Sequence, residues 1–140
     1  MLFKRFFSSA IRYTKTHEYI KPIGHNIGRV GISKYASEKL VNIIFVEFPS
    51  DNIIAVDKNT PIVFLESVKS ASEVLSPVNG IIHNVNYSLI THDYITKIND
   101  DPLNIGWLFD IKYKNNDLTD LMTQAEYDKY IDNIKNKLYK

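Results

Sequence analysis

The stretch Phe64 to Ile82, F-L-E-S-V-K-S-A-S-E-V-L-S-P-V-N-G-I-I, decides how the rest of the chain is read. Two short β-capable runs, Pro61 to Ser67 and Ala71 to Leu75, flank a single lysine, Lys69. The second run can return antiparallel to the first, which places the lysine at a hairpin tip. A tip carries the amine into solvent on a flexible four-carbon stem, within reach of other macromolecules. Its neighbours Ser67, Ser70, Ala71 and Ser72 are small and offer a modifying enzyme little obstruction. By composition alone, an ordinary solvated turn lysine is the commoner explanation, because lysines are mostly exposed anyway. Asn79-Gly80 then supplies a strong turn dipeptide before a strand over Ile81 to Val85, and the glycine there permits positive φ.

Outward from the hairpin the period remains that of strands. Ile27 to Ile32, with Gly28 and Gly31, reads as a strand with close backbone approaches. Ile43 to Phe48 is a β-branched and aromatic strand stopped by Pro49, and Ile53 to Val56 follows a polar turn. Trp107, Phe109 and Ile111 alternate with Leu108, Asp110 and Lys112, which predicts a strand with one inner face. Between these, Ser33 caps a brief helix to Leu40 that pairs Ala36 with Leu40. In the tail, Thr123 and Glu126 form a T-x-x-E capping box. Tyr127, Tyr130, Ile131, Ile134 and Leu138 then make a helical stripe, with Lys135, Lys137 and Lys140 near the helix C-terminus. Many short strands at this spacing imply an all-β sandwich or barrel, covered by the C-terminal helix.

Composition narrows the function classes. The chain has 140 residues, enough for one domain with a real core. It is 44% hydrophobic and 24% charged, typical of a globular protein and too apolar for a disordered one. A net charge of +1 argues against broad nucleic-acid binding. The absence of Cys excludes disulfide scaffolds, Cys nucleophiles, iron–sulfur clusters and Cys-based zinc sites. Wholly apolar runs such as Ile43 to Val46 and Ile62 to Leu65 are far too short to span a membrane. His17, His25, His83 and His92 lack metal-ligand spacing, Gly24, Gly28 and Gly31 form no P-loop, and there is no G-x-S-x-G elbow.

The first twelve residues, MLFKRFFSSAIR, differ in kind from the rest. They carry Lys4, Arg5, Arg12, Ser8 and Ser9 and no acid, and as a helix would gather Phe3, Phe6, Phe7, Ala10 and Ile11 on one face. That is the composition of a mitochondrial transit peptide. The expected organisation is a leader over 1–12 and a domain over 13–140, with the mitochondrial matrix as the address.

The segment E-S-V-K-S-A-S-E, followed by S-P-V-N-G, resembles the lipoyl-attachment hairpin of the glycine cleavage system H protein family. Y-T-K-T-H-E-Y (Tyr13 to Tyr19) resembles the family's opening, with Tyr19 where Trp is usual. I-G-R-V-G-I-S-K-Y-A (Ile27 to Ala36), N-I-I-F-V-E-F-P (Asn42 to Pro49), I-G-W-L-F-D-I-K (Ile105 to Lys112) and L-M-T-Q-A-E-Y (Leu121 to Tyr127) follow in the family's order. The likeness runs from about Tyr13 to Tyr130. It implies a mainly β barrel-sandwich hybrid of two small antiparallel sheets related by a rough internal two-fold. A short helix in the N-terminal half and a C-terminal helix complete it.

The resemblance also implies (R)-lipoate bound covalently to Lys69 and a non-catalytic carrier role. Its arm would shuttle an aminomethyl group from glycine decarboxylase (P protein) to aminomethyltransferase (T protein), then pass to dihydrolipoyl dehydrogenase (L protein) for reoxidation. A lipoate ligase or a lipoyl/octanoyl transferase would attach the cofactor. Residue by residue, Glu66 and Gly80 fall on positions used in recognition by the lipoylating enzyme. Glu18 and Glu73 match positions lining a cleft that parks the loaded arm, Glu73 standing where Asp is commoner. The remaining cleft position falls on Lys39, a cation that repels the loaded amine unless Glu18 or Glu38 offsets it. Two departures bear on the partner surface: Leu40-Val41-Asn42 replaces the usual Leu-Gly-Asp, and the Asn86 to Asp101 loop is longer and lacks the common Pro. Two rival functions share the hairpin: a relay donating lipoate to 2-oxoacid dehydrogenase acyltransferases, and a biotin or acyltransferase-type carrier domain. Val68 and Ser70 beside the lysine disfavour the biotinyl pattern, which has Met on both sides.

Overall fold

The computed structural model describes residues 11–50, 54–114 and 117–138. The short β-branched runs pair with their chain neighbours. β1 (Arg12–Tyr13), β2 (Glu18–Gly24) and β3 (Ile27–Ile32) form an antiparallel meander. A helix, α1 (Lys34–Leu40), follows, and the predicted cap is formed: Ser33 Oγ accepts from Ala36 N at 3.1 Å. Next come β4 (Ile43–Glu47), β5 (Ala55–Val56), β6 (Pro61–Ser67), β7 (Ala71–Leu75), β8 (Gly80–Val85) and, after a helical segment, β9 (Phe109–Lys112). The strands make two antiparallel sheets, one of six strands ordered β1-β2-β3-β9-β8-β5 and one of three ordered β4-β6-β7. The mainly β architecture of two sheets with accessory helices is as expected.

The main core lies between the sheets. Ile20, Val30, Phe109 and Ile111 of the large sheet meet Val46, Val63, Leu65 and Val74 of the small one. A second cluster, Tyr13, Tyr19, Tyr127 and Ile131, sits under the C-terminal helix α4 (Gln124–Leu138). There the Tyr13 and Tyr127 rings stack with centroids 4.2 Å apart. The capping box closes as read: Thr123 N donates to Glu126 Oε1 at 2.9 Å and Glu126 N to Thr123 Oγ1 at 3.3 Å. Leu138, read as part of the stripe, is 67% exposed and lies beyond the packing face.

Two further readings change. Asn86 to Asp101 is not an open loop but a 3-10 turn (Tyr87–Ile90) and two single-turn helices, α2 (His92–Ile95) and α3 (Lys97–Asp100). Each buries one side chain (Leu89, Ile95, Ile98) and lacks a side-chain cap, so no periodic stripe or capping signal marked it. The strand near Trp107 has no single inner face, because Leu108 and Asp110 are as buried as Phe109 and Ile111. Arg29 closes over the outer side, bonding Asp110 at 2.9 and 3.1 Å and lying 3.9 Å from the Trp107 ring centre. Of the leader expected over 1–12, residues 1–10 lie outside the described residues. Arg12 belongs to β1, opposite Ile20, and donates to Leu121 O at 3.1 Å.

Candidate functional site

The hairpin over β6 and β7 forms in the register its alternation requires, with Phe64 opposite Glu73, Leu65 opposite Ser72 and Glu66 opposite Ala71. Val68, Lys69 and Ser70 make the exposed tip. Ser67, itself buried, organises the turn. Its backbone N–H donates to Ser70 O at 2.8 Å, and its hydroxyl accepts from Ser70 N at 3.0 Å and Lys69 N at 3.2 Å. The same hydroxyl is 3.1 Å from Ser70 O, to which it donates. Short polar side chains that bond their own backbone two or three residues on are the usual way to fix such a turn. Val68 N adds a tie to Asn42 O at 3.2 Å, joining the tip to the segment after α1. Lys69 is thus a solvent-facing amine on an anchored backbone. From sequence Ser67 stands out only as a small neighbour of Lys69; its place two residues before the lysine is the signal for its turn-holding role.

Glu18 is neither a solvated loop acid nor open to solvent, being 2% exposed. Its Oε1 accepts from Thr14 Oγ1 and Thr16 Oγ1, both at 2.5 Å, and its Oε2 accepts from Leu75 N at 3.1 Å. Its own N–H donates to Thr14 Oγ1 at 3.0 Å, so one threonine hydroxyl serves both ends of the residue. Burial raises the carboxyl pKa, and the hydrogen bonds from Thr14, Thr16 and Leu75 oppose that rise. Three donors leave room for one more on Oε2, since a carboxylate has about four acceptor sites. The carboxylate therefore pins the end of β7 to the loop before β2.

Glu73 is exposed on β7, two residues from the Leu75 amide that Glu18 of β2 holds, so both acids bear on the same strand. Lys39 is exposed in the last turn of α1, with its ammonium 5.6 Å from the Tyr35 ring centre. Glu66 is exposed on the outer side of β6. Gly80 starts β8 in the other sheet, facing Val56. Its φ is not positive. The glycine is required instead because a Cβ there would lie 2.3 Å from Lys112 O of β9. The structure thus brings Glu66, Lys69 and Glu73 onto one hairpin, attaches Glu18 to its base, and leaves Gly80 and Lys39 on other elements. A groove of about 590 Å³ opens beside Asn42, the residue tied to the tip, and is lined by Ile43, Ile44, Ile90 and Ile95 with His92 and Asp100.

Among the described residues no group of three or more His, Cys, Asp or Glu side chains could hold a metal ion, and no helix is long and apolar enough to cross a membrane. What the hairpin offers chemically is one accessible nucleophilic nitrogen on a fixed turn, suited to carrying an acyl group as an amide.

Known proteins resemble this chain in sequence and in fold. The family model described as glycine cleavage H-protein matches residues 11–134. A probable mitochondrial glycine cleavage system H protein 1 of Dictyostelium discoideum is 36% identical over 121 residues, 86% of this chain and 81% of that one. The glycine cleavage system H protein of Paramagnetospirillum magneticum is 38% identical over 128 residues, 91% of this chain and 99% of its own. The crystal structure of a glycine cleavage system H protein from Mycobacterium marinum superposes with a TM-score of 0.71 at 30% identity, covering 85% of this chain and 94% of that one. With the family model spanning residues 11–134 and two of these relatives covered nearly end to end, this chain belongs to the glycine cleavage H-protein family.

Proposed function

We propose that this protein is a lipoyl carrier of the glycine cleavage system, with (R)-lipoate joined to Lys69 Nζ as an amide. The observation that supports this most is the exposed Lys69 on a turn whose amides are held by Ser67. Attachment needs only that the amine attack an activated carboxyl carbon, losing a proton to solvent as the leaving group departs, and no side chain at the tip blocks that approach. Once bound, lipoate supplies a disulfide that accepts the aminomethyl group and a dithiol that is reoxidised afterwards. The chain's own part is positional. Ser67 holds the root of the arm still, which raises its effective concentration at each partner site. Glu73 is the carboxylate a loaded ammonium meets in solvent; Glu18 keeps β7 in place and has one acceptor site left for a group entering beside it. Lys39 opposes a cation at the end of α1, where its ring contact with Tyr35 draws the charge aside.

On this reading the protein is not itself a catalyst. It presents Lys69 in turn to glycine decarboxylase, aminomethyltransferase and dihydrolipoyl dehydrogenase, after a lipoate ligase or lipoyl/octanoyl transferase has acted, with Glu66 and Gly80 contributing to recognition. The acid-free, basic first residues and the mitochondrial name of the Dictyostelium relative favour the mitochondrial matrix. The test is intact mass after co-expression with a lipoate ligase in lipoate-fed cells. The unaltered chain is expected to gain one lipoyl group and Lys69→Arg none, with no change in thermal midpoint, since the side chain makes no buried contact. A lipoyl group retained by the variant overturns the assignment.

A further inference from the structure

The outer face of the small sheet has a composition unlike the rest of the surface. β4, β6 and β7 together contain Glu47, Glu66 and Glu73 and no Lys, Arg or His, in a chain that is otherwise nearly balanced. The register sets Phe45 opposite Glu66 and Glu66 opposite Ala71, and in the next row Glu47 opposite Phe64 and Phe64 opposite Glu73. Residues directly opposite in an antiparallel sheet share a face, and the intervening Val46, Val63, Leu65 and Val74 all point into the core. The result is a checkerboard of two phenyl rings and three carboxylates. Phe45 is 50% and Phe64 44% exposed, and all three glutamates are exposed. Among the described residues Arg29–Asp110 is the ion pair found, and none involves these glutamates.

Two exposed phenyls flanked by unpaired acids, on the sheet whose β6 and β7 carry the Lys69 turn, are poorly explained by folding. Exposed aromatics cost solubility and add nothing to this core, whereas aromatic anchors inside a charged ring are the usual make-up of a docking patch. We propose that this face docks the enzyme that acylates Lys69, through a surface on that enzyme bearing cationic groups around apolar sockets for Phe45 and Phe64. The proposal rests on the carrier reading and adds Phe45, Glu47 and Phe64 to Glu66, the one residue of this face among the two, Glu66 and Gly80, that the resemblance implied for recognition. The acylating enzyme is favoured over later partners because it meets the protein before any cofactor is present to grip. It must also tell Lys69 from the chain's other lysines by the protein surface alone. A negative face bearing two phenyls, on the sheet whose β6 and β7 end at this lysine, supplies both the long-range attraction and the register.

The experiment follows lipoylation of the full chain by a lipoate ligase with ATP and lipoate, comparing Glu47→Lys, Phe64→Ser and Asp132→Lys, the last making the same charge change on exposed α4. Glu47→Lys and Phe64→Ser are each expected to lower kcat/KM about tenfold through KM, with kcat little changed and Asp132→Lys like the unaltered protein. Added salt should weaken the unaltered protein and the Asp132→Lys variant more than Glu47→Lys. If Glu47→Lys and Phe64→Ser stay within about twofold of the unaltered protein, the docking proposal is overturned. It is overturned equally if sedimentation shows a dimer that Phe64→Ser converts to monomer, because a second copy then occupies the face. Failure of the unaltered protein to gain a lipoyl group at all is a different result, which removes the carrier reading itself.

Discussion

His17 sits at φ 76 in the turn before Glu18, with its Nδ1 2.8 Å from Tyr127 Oη and its ring 4.9 Å from that of Tyr35. Burial lowers its pKa below the ordinary 6.5. A histidine whose folded pKa is lowered contributes stability that is present above 6.5 and lost as the pH falls through that value toward the folded pKa. Glu18 works the other way: its raised pKa means its contribution is present below 4.5 and is lost as the pH rises through the folded value. On mild acidification the two groups therefore pull in opposite directions, and His17→Gln, which removes the destabilising one, is expected to melt with a smaller fall or a larger rise than the unaltered chain in a pH series of melting curves. Gly80 shows how a local reading can name the right residue for the wrong reason. Asn79-Gly80 marks the turn, yet the demand for glycine comes from Lys112 O across the sheet. Gly80→Ala is expected to cost about 2 kcal/mol or more, read as a melting point lowered by several degrees. A variant with an unchanged melting point would show that β9 yields without cost.

Among the elements, the hairpin was legible nearly in full. Alternation over Pro61 to Ser67 and Ala71 to Leu75 matches β6 and β7, and the lysine lies between them. Ser67→Ala removes the acceptor for the Lys69 and Ser70 amides. It should lower stability by about 1 kcal/mol and speed hydrogen exchange at those two amides while leaving those of β8 and β9 unchanged. Unchanged exchange at Lys69 and Ser70 would mean the hydroxyl does not organise the turn. The capping box of α4 was equally plain, because its two partners are three residues apart. What joins α4 to the rest was not: Tyr127 Oη lies 2.7 Å from Ser33 Oγ, the cap of α1, and 2.8 Å from His17. Tyr127→Phe keeps the stacked ring and loses both bonds. It should cost about 1–2 kcal/mol in denaturant unfolding with no change in the slope.

Across the whole molecule, one buried charge ties the large sheet together. Asp110 of β9 is 2% exposed and is held by Arg29 of β3, which also covers Trp107. Removing one partner of a buried pair strands the other, although Arg29 is partly exposed and water relieves some of that penalty. Asp110→Ala is expected to cost about 2 kcal/mol, and the additional change Arg29→Met should restore part of it; a double variant no better than the single one would locate the loss in packing. The two apolar clusters are bridged by β2, which sends Ile20 into the main core and Tyr19 into the cluster under α4. Tyr19 also donates to Pro102 O at 2.6 Å, so this buried ring keeps a polar tether to the helical segment.

The sequence by itself determined the strand-rich class, the lysine at the hairpin tip, and the caps of the first and last helices. Each of these rests on side-chain alternation or on partners within a few residues. Only the tertiary structure decided that Glu18 is buried beneath the end of β7, that Asp110 is held by Arg29, why position 80 must be glycine, and that two phenyls and three glutamates share one open face. Alternation says which residues of a strand lie on the same side. It does not say which residue of a distant strand stands opposite, and burial, pairing and surface charge all follow from that register.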